Sequence, residues 1–208
     1  LFAAGAMTAA FEAMGLDVPM RDAILSIVGL SLEHAILRLA PDQPERARAR
    51  LVQTYKDAYH AHRLTTGAAE GSPLYPGARD MISQLSEQQN LLLGIATGKS
   101  QRGLTALLAA HDLERVFVTA QNADHHPSKP HPSMIDTAMA EAGVERDHTV
   151  MIGDTSYDMD MATNAAMASV GVSWGYHTSE VLQTRASVLI ETYADLDAAL
   201  DKIWSETP

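Results

Sequence analysis

The chain has 208 residues, of which 46% are hydrophobic and 20% charged, a composition typical of a folded globular protein. Cysteine is absent, which excludes disulfides, thiolate catalysis and cysteine-ligated metal sites. Acidic residues outnumber basic ones by 26 to 15, and the resulting net charge of −11 disfavours a nucleic-acid-binding protein. No apolar run reaches the roughly 18 residues of a membrane-spanning helix, so we expect no membrane partner and a cytoplasmic protein.

The first 72 residues predict a small all-helical domain. Helix-forming residues dominate from Ala6 to Met14, and Gly15 is well placed to end that helix. A second helix is expected to begin near Pro19. Ser31 has a side chain of the type that caps helices, so we expect a third helix after it. A long polar helix is then expected from Glu45 to Leu64.

A short segment rich in glycine, serine and proline divides the chain. It runs from Gly67 to Pro73 and is typical of a linker or loop. Residues 1–72 carry 7 basic and 8 acidic side chains, whereas residues 73–208 carry 8 and 18. The composition changes at the same place, so we predict two domains, 1–72 and 73–208.

Helices and short apolar strands alternate after this boundary. Strands are predicted at Leu91–Ala96, Val116–Thr119, Thr149–Ile152, Ala168–Val172 and Val188–Ile190, and helices between and after them, including Pro76–Leu85, Gln101–Ala110, Pro132–Ala142 and Tyr193–Trp204. Such alternation is typical of βαβ units, so we predict an α/β core with a doubly wound parallel sheet, Rossmann-like and covered on both faces. Ligands of such folds bind at the carboxyl ends of the strands.

The first polar cluster at a predicted strand end is Thr97-Gly98-Lys99-Ser100. A hydroxyl and backbone N–H groups at a helix N-terminus can hold a phosphate. A strand-to-helix turn capped by Ser100 explains the same residues equally well. The Gly-Lys-Ser triplet also resembles the end of a nucleotide-binding P-loop, but only three residues separate Gly94 from Gly98 where that motif requires four.

The second cluster runs from Asp124 to Pro132 and contains three histidines and three prolines. We interpret the histidines as surface-loop residues, because the prolines stiffen the segment and no carboxylate spacing typical of a zinc site accompanies them. Lys129, between Ser128 and Pro130, is a fixed cation suited to neutralising a phosphate. A lysine in a loop is, however, most often simply solvated.

The third cluster is the most specific one. Asp154 follows a predicted strand, and Asp158 lies four residues later, one helical turn on and on the same face. Two carboxylates so placed suit Mg²⁺, which prefers oxygen ligands and keeps several waters. Helix capping alone would account for one of the two. Asp160 points elsewhere on the helix and is left out of the predicted site.

These clusters occur in the order of the second, third and fourth motifs of the haloacid dehalogenase superfamily, which the chain resembles. The Gly-Asp-Thr-x-x-Asp form is most similar to phosphoglycolate-phosphatase-like phosphatases with an inserted helical cap. The resemblance implies a Mg²⁺-dependent phosphomonoester hydrolase acting on a small phosphorylated metabolite. It also implies three sets of site residues: catalytic Thr97, Lys129 and Asp154, phosphate-binding Thr97, Gly98 and Lys129, and metal-binding Asp154 and Asp158.

The superfamily's first motif, Asp-x-Asp-Gly-Thr, does not occur in this sequence. In the superfamily its first aspartate is the nucleophile, which forms an aspartyl-phosphate. Residue 1 is Leu, and the chain opens about where the first cap helix is expected. We therefore expect the first core strand and the nucleophile loop to lie upstream of Leu1. The alternative is a catalytically inactive module that binds phosphate and Mg²⁺. The sequence predicts neither the particular substrate nor the oligomeric state.

Overall fold

The computed structural model describes residues 2–206. The helices of the described chain are α1 Phe2–Ala13, α2 Arg21–Ser26, α3 Leu32–Leu39, α4 Glu45–Thr66, α5 Ala68–Gly71, α6 Ala78–Ser86, α7 Gln101–Ala110, α8 Ser133–Ala142, α9 Ser156–Asn164, α10 Ser179–Gln183 and α11 Leu196–Glu206. The strands are β1 Gly94–Thr97, β2 Thr119–Asn122, β3 Val150–Gly153, β4 Ala168–Val172 and β5 Val188–Ile190. Helices alone precede residue 90, and strands and helices alternate after it, as predicted.

The first four helices pack around a shared hydrophobic core, which Tyr157 of α9 also enters. Phe11 of α1, Ile36 of α3 and Leu51 of α4 are all buried in it. Burial of each such side chain contributes about 1.5–3 kcal/mol. Ser31 precedes α3 as expected, but its hydroxyl lies 3.0 Å from the ring Nδ1 of His34 and does not cap the helix. The expected side-chain cap is therefore wrong, although the helix begins where it was predicted.

The segment predicted as a linker is partly helical. Residues Ala68–Gly71 form α5, a single turn that follows Gly67. Gly67 has a φ of +88°, a backbone conformation that favours glycine. Ser72, which follows the turn, contacts elements on either side of it in the chain. Its hydroxyl lies 3.3 Å from that of Tyr59 in α4, and its carbonyl oxygen lies 2.8 Å from Nε2 of His111 after α7. The division of the chain at residue 72 stays a prediction.

The strands form two parallel sheets in the described part of the chain. β1 pairs with β2, and β3, β4 and β5 pair in that order. β1 and β3 thus each have one unpaired edge within residues 2–206. Both strands line the same cavity, through Ala96 of β1 and Ile152 of β3, and Ile152 is 39% exposed although it lies in a strand.

The second strand lies three residues later than predicted. The expected strand was Val116–Thr119, but the parallel ladder pairs Gly94 with Thr119 and continues to Asn122. Gln121 and Asn122 are buried polar residues, and Gln121 donates 2.7 Å hydrogen bonds to Thr119 and Glu141. A buried strand with polar side chains has no apolar pattern, so the hydrophobic residues just before it gave the wrong position.

Helices pack against both sheets. The carboxyl ends of β1 and β3 line the same cavity as α1–α4, and these four helices with the loops between them are called the cap below. Val170 and Ile190 pack against α6 and α11, and Met134 of α8 packs against Met161 of α9. Two elements that carry weak sequence signals were not predicted, α10 and a 3₁₀ turn at Arg146–His148. Within residues 2–206, no helix combines the length and the apolar character needed to cross a membrane.

Candidate active site

The predicted site residues lie around one cavity. Thr97 ends β1, Lys129 precedes α8, Asp154 follows β3, and Asp158 lies in the first turn of α9. These four and Gly98 line a cavity of about 940 Å³ that also reaches the cap. They come together because the carboxyl ends of parallel strands lie at one edge of a sheet.

Lys129 and Asp158 form a buried ion pair. The ammonium Nζ lies 2.5 Å from Oδ1 of Asp158, and the two side chains are 6% and 5% exposed. The other oxygen, Oδ2, accepts hydrogen bonds from the backbone N–H and the hydroxyl of Thr155, at 3.0 and 2.8 Å. Both oxygens of Asp158 therefore already have protein partners, and the carboxylate holds Lys129 at the cavity wall.

Gly153 allows this arrangement because it has no side chain. A Cβ built on Gly153 would lie 2.3 Å from Cβ of Asp158, and carbon atoms in contact normally stay about 3.5–4.0 Å apart. The first turn of α9 can thus fold back against the end of β3 only if residue 153 is glycine. The glycine of the Gly-Asp-Thr run is a packing requirement of the ion pair.

Asp154 is half-buried and is held by the loop that follows β4. The backbone N–H of Tyr176 donates to its Oδ2 at 3.0 Å, and the N–H of His177 donates to its carbonyl at 3.2 Å. Burial and the nearby charge of Asp158 raise the pKa of Asp154, while the Tyr176 N–H and Lys129 lower it in part. A charged carboxylate is thus costly here, and a bound cation would relieve that cost. Asp154 offers one carboxylate of the kind that Mg²⁺ binds together with several waters. Among the residues described, no group of three or more histidine, aspartate or glutamate side chains is placed to hold a metal ion.

The loop after β1 presents polar groups to the cavity. The hydroxyl of Thr97 accepts a 3.3 Å hydrogen bond from the N–H of Lys99. Ser100 caps α7 through a 3.2 Å bond from the N–H of Gly103, which confirms the predicted cap. Gly98 packs directly on the cap, because a Cβ there would lie 2.5 Å from the carbonyl oxygens of residues 29 and 30.

Several residues of the site were not identified from the sequence. Tyr75 and Tyr176 line the cavity, and burial together with the charge of Asp154 raises the pKa of Tyr75 to about 12. Gly175 lies against Asp154, since a Cβ there would be 2.0 Å from Cβ of the aspartate. The Trp-Gly-Tyr run shortly after β4, at residues 174–176, was the available signal, because a glycine in the loop after a strand permits close backbone approach.

Two of the three histidines of the 124–132 segment, His126 and His131, have hydrogen-bond partners within the core. His126 lies 2.8 Å from both the hydroxyl of Ser133 and the amide oxygen of Gln121. The ring Nδ1 of His131 accepts a 3.2 Å bond from the N–H of Ser133. The described cavity wall includes Asp124 and Lys129 from this segment but neither of these histidines.

Comparison with known proteins identifies the class. A family model described as haloacid dehalogenase-like hydrolase matches residues 2–172, so the chain belongs to that family. It is 36% identical over 192 residues to the probable phosphatase IndB of Dickeya dadantii, covering 88% of this chain and 80% of the relative. A phosphoglycolate phosphatase of Salmonella typhi is 28% identical over 195 residues, covering 89% and 74%.

Solved structures agree with the fold. The structure of a hydrolase from Pseudomonas syringae superimposes with a TM-score of 0.82 at 24% identity and covers 97% of this chain and 91% of that one. At this identity the match concerns the fold alone. Together with the family match, it confirms the predicted α/β fold and the recognition of a haloacid-dehalogenase-type enzyme.

Proposed function

We propose that the protein is a Mg²⁺-dependent hydrolase of small phosphomonoesters, similar to the phosphoglycolate phosphatases among its relatives. The observation that carries the proposal is that Thr97, Lys129 and Asp154 line the same cavity. A buried cation, a hydroxyl and a half-buried carboxylate are the groups that a phosphate and its metal ion require.

Each residue has a role that follows from its contacts. Lys129 is held at the wall by Asp158, where it can neutralise phosphoryl oxygens. Thr97 and the backbone of Gly98 are placed to hold the same oxygens. The cap lies directly over Gly98, so it can exclude bulk water from the site.

Asp154 would hold the metal ion directly. The contacts of Asp158 with Lys129 and Thr155 support a role for it through a water molecule. When bound, Mg²⁺ would offset the negative charge of the substrate phosphate. The raised pKa of Asp154 supports this assignment, because its charge lacks full compensation from the described protein groups.

The nucleophile is proposed to be an aspartate upstream of Leu1 that attacks phosphorus while the P–O ester bond breaks and the leaving oxygen takes up a proton and departs as the alcohol. Water then hydrolyses the aspartyl-phosphate, which releases inorganic phosphate and restores the aspartate. Two unpaired edges, of β1 and β3, border the cavity in the described structure. A strand between them would place the residue at its carboxyl end beside Asp154. The exposed Ile152 supports this placement, because such a strand would cover it.

The test is Mg²⁺-dependent phosphate release from an aryl phosphate and from phosphoglycolate. It is measured on the protein with its natural upstream segment and on residues 1–208 alone. Asp154→Asn should lower the rate by about 100-fold or more, as loss of a metal ligand does. Asp160→Asn is the matched control, because Asp160 lies nearby in α9 and forms a half-exposed ion pair with Arg185.

Three outcomes are informative. Full activity of Asp154→Asn would contradict the metal assignment. Turnover by residues 1–208 alone, abolished by that substitution, would show that the nucleophile lies within the chain. Binding of Mg²⁺ and phosphate without turnover, in a protein whose upstream segment lacks an aspartate, would favour the inactive binding module.

A further inference from the structure

The cap touches the core at the carbonyl group of Ser26, the last residue of α2. This oxygen accepts a 2.9 Å hydrogen bond from the hydroxyl of Tyr157. The ring Nε2 of His177 lies 3.1 Å from the same oxygen. Two side chains from different core segments, α9 and the loop after β4, therefore meet at one backbone atom of the cap.

The tautomer of His177 makes the second contact a hydrogen bond. Its Nδ1 accepts a 3.0 Å bond from the backbone N–H of Ser156. A neutral imidazole that accepts at Nδ1 carries its proton on Nε2, so Nε2 donates to the Ser26 carbonyl. Both partners of this carbonyl are thus donors, which is the number its two lone pairs can accept.

Tyr157 is also built into the cap. It is 6% exposed and belongs to the hydrophobic cluster of the cap helices, although it comes from α9. The guanidinium of Arg38, on α3, donates to its hydroxyl at 2.8 Å and lies 5.1 Å from its ring centroid. The ring also packs edge-on against His177, at 5.3 Å between centroids. This side chain therefore joins cap and core by packing as well as by hydrogen bonds.

The same segments hold the site residues. The backbone N–H groups of Tyr176 and His177 bond to Asp154, and Tyr157 lies next to the residue that pairs with Lys129. From the cap side, the N–H of Ser31 donates to the hydroxyl of Ser128 at 2.9 Å. Movement of the Ser26 carbonyl would therefore displace both the loop that holds Asp154 and the loop that contains Lys129.

We propose that Tyr157 and His177 are positioning residues that fasten the cap over the active site by clamping the carbonyl of Ser26. The hydrogen bonds of the clamp do not depend on the proposed function, on which only the term active site rests. The clamp fixes cap segment 26–31 against the loops of Gly98, Ser128 and Asp154, so its release opens the cavity.

The test is hydrogen exchange, followed by mass spectrometry, of peptides covering residues 24–34 in the protein without ligand. The amide of Ser31 is a direct reporter, because its partner, Ser128, lies in the core. Tyr157→Phe keeps the ring but removes the hydroxyl, and His177→Ala removes the imidazole. His177→Ala removes one hydrogen bond to the cap and should accelerate exchange of this segment about fivefold. Tyr157→Phe removes two, to Ser26 and from Arg38, and should accelerate it about thirtyfold, and the double variant about 150-fold.

Tyr193→Phe is the matched control, because it removes the same atom from a ring that packs on Trp174 and whose hydroxyl interacts with that side chain rather than with Ser26. It should leave exchange of residues 24–34 unchanged. A merely structural role for Tyr157 would accelerate exchange of β3 and β4 to the same degree, and that result would overturn the proposal. Unchanged exchange of residues 24–34 in the double variant would overturn it as well. The phosphate-release assay is separate, so failure of the proposed function would leave the clamp result interpretable.

Discussion

The buried ion pair of the site makes a quantitative prediction for Asp158→Asn. Asparagine keeps the shape of the side chain, and its carbonyl oxygen can accept from both donors of Thr155. Its NH₂ group then faces the ammonium of Lys129 at the position where an oxygen lay 2.5 Å away. Two donors meet there, and a buried cation loses its carboxylate.

The cost follows from burial and from the remaining neighbours. Removing one partner of a buried pair costs about 3–5 kcal/mol, because the other charge stays uncompensated. Lys129 also interacts with the charge of Asp154, which offsets part of the loss. We therefore expect a decrease of about 3 kcal/mol in the free energy of unfolding, the lower end of that range. This is a large share of the roughly 5–15 kcal/mol typical of a folded domain.

Urea denaturation measures this change. Lys129→Met/Asp158→Asn should unfold at a higher urea concentration than Asp158→Asn alone, because no charge is left buried. The control, Asp160→Asn, breaks a half-exposed pair and should cost less than about 1 kcal/mol. A cost below about 1 kcal/mol for Asp158→Asn, or a double variant that loses the sum of both single effects, would refute the reasoning.

Two further predictions concern the surroundings of Asp154. Gly175→Ala would place a methyl group 2.0 Å from Cβ of Asp154, so it should lower the rate of Mg²⁺-dependent phosphate release about 10- to 100-fold. Gly5→Ala is the control and should leave the rate unchanged, because nothing lies within 4 Å of a Cβ at that position. Equal rates of the two variants in an enzyme assay would contradict the packing argument. The pKa of Asp154 in the folded protein is raised above its ordinary 3.8. Ionisation of this carboxyl therefore lowers folding stability increasingly as the pH rises from about 4 through the raised pKa. Without Mg²⁺, Asp154→Asn should therefore melt at a higher temperature than the unchanged protein at pH 7, and this gap should close below about pH 4, as thermal melts over a pH series will show.

The sequence could predict which residues share the cavity because they lie at or near the ends of regular elements. Thr97 ends β1, Lys129 precedes α8, Asp154 follows β3 and Asp158 lies in the first turn of α9, and parallel topology brings such positions together without any knowledge of side-chain packing. Their roles in catalysis stay a prediction. The same reasoning misplaced β2, since Gln121 is buried by means of hydrogen bonds and not by apolar character. Hydrophobic pattern locates strands that are stabilised by apolar packing, and this strand is in part stabilised by a polar network.

Backbone groups account for much of what the sequence did not predict. Asp154 is oriented by the N–H groups of residues 176 and 177, and the cap is held by the carbonyl of residue 26. Every residue except proline carries the same donor, and every residue carries the same acceptor, so no residue type marks these positions. Only the partner side chains, Tyr157 and His177, have a chemical identity. A tyrosine and a histidine more than one element apart give no pattern that would pair them before the fold is known.

Three glycines show how the polar groups of the site come so close together. A side chain at Gly98 would strike the cap carbonyls, one at Gly153 would strike Asp158, and one at Gly175 would strike Asp154. All three lie at or just after the ends of β1, β3 and β4, where each loop turns toward the cavity. At each of these positions a charged or polar group contacts the glycine backbone at a distance that any side chain would prevent. The spacing of carboxylates and lysine therefore defines the chemistry of the site, while the glycines that follow the strands determine whether those groups can share one cavity.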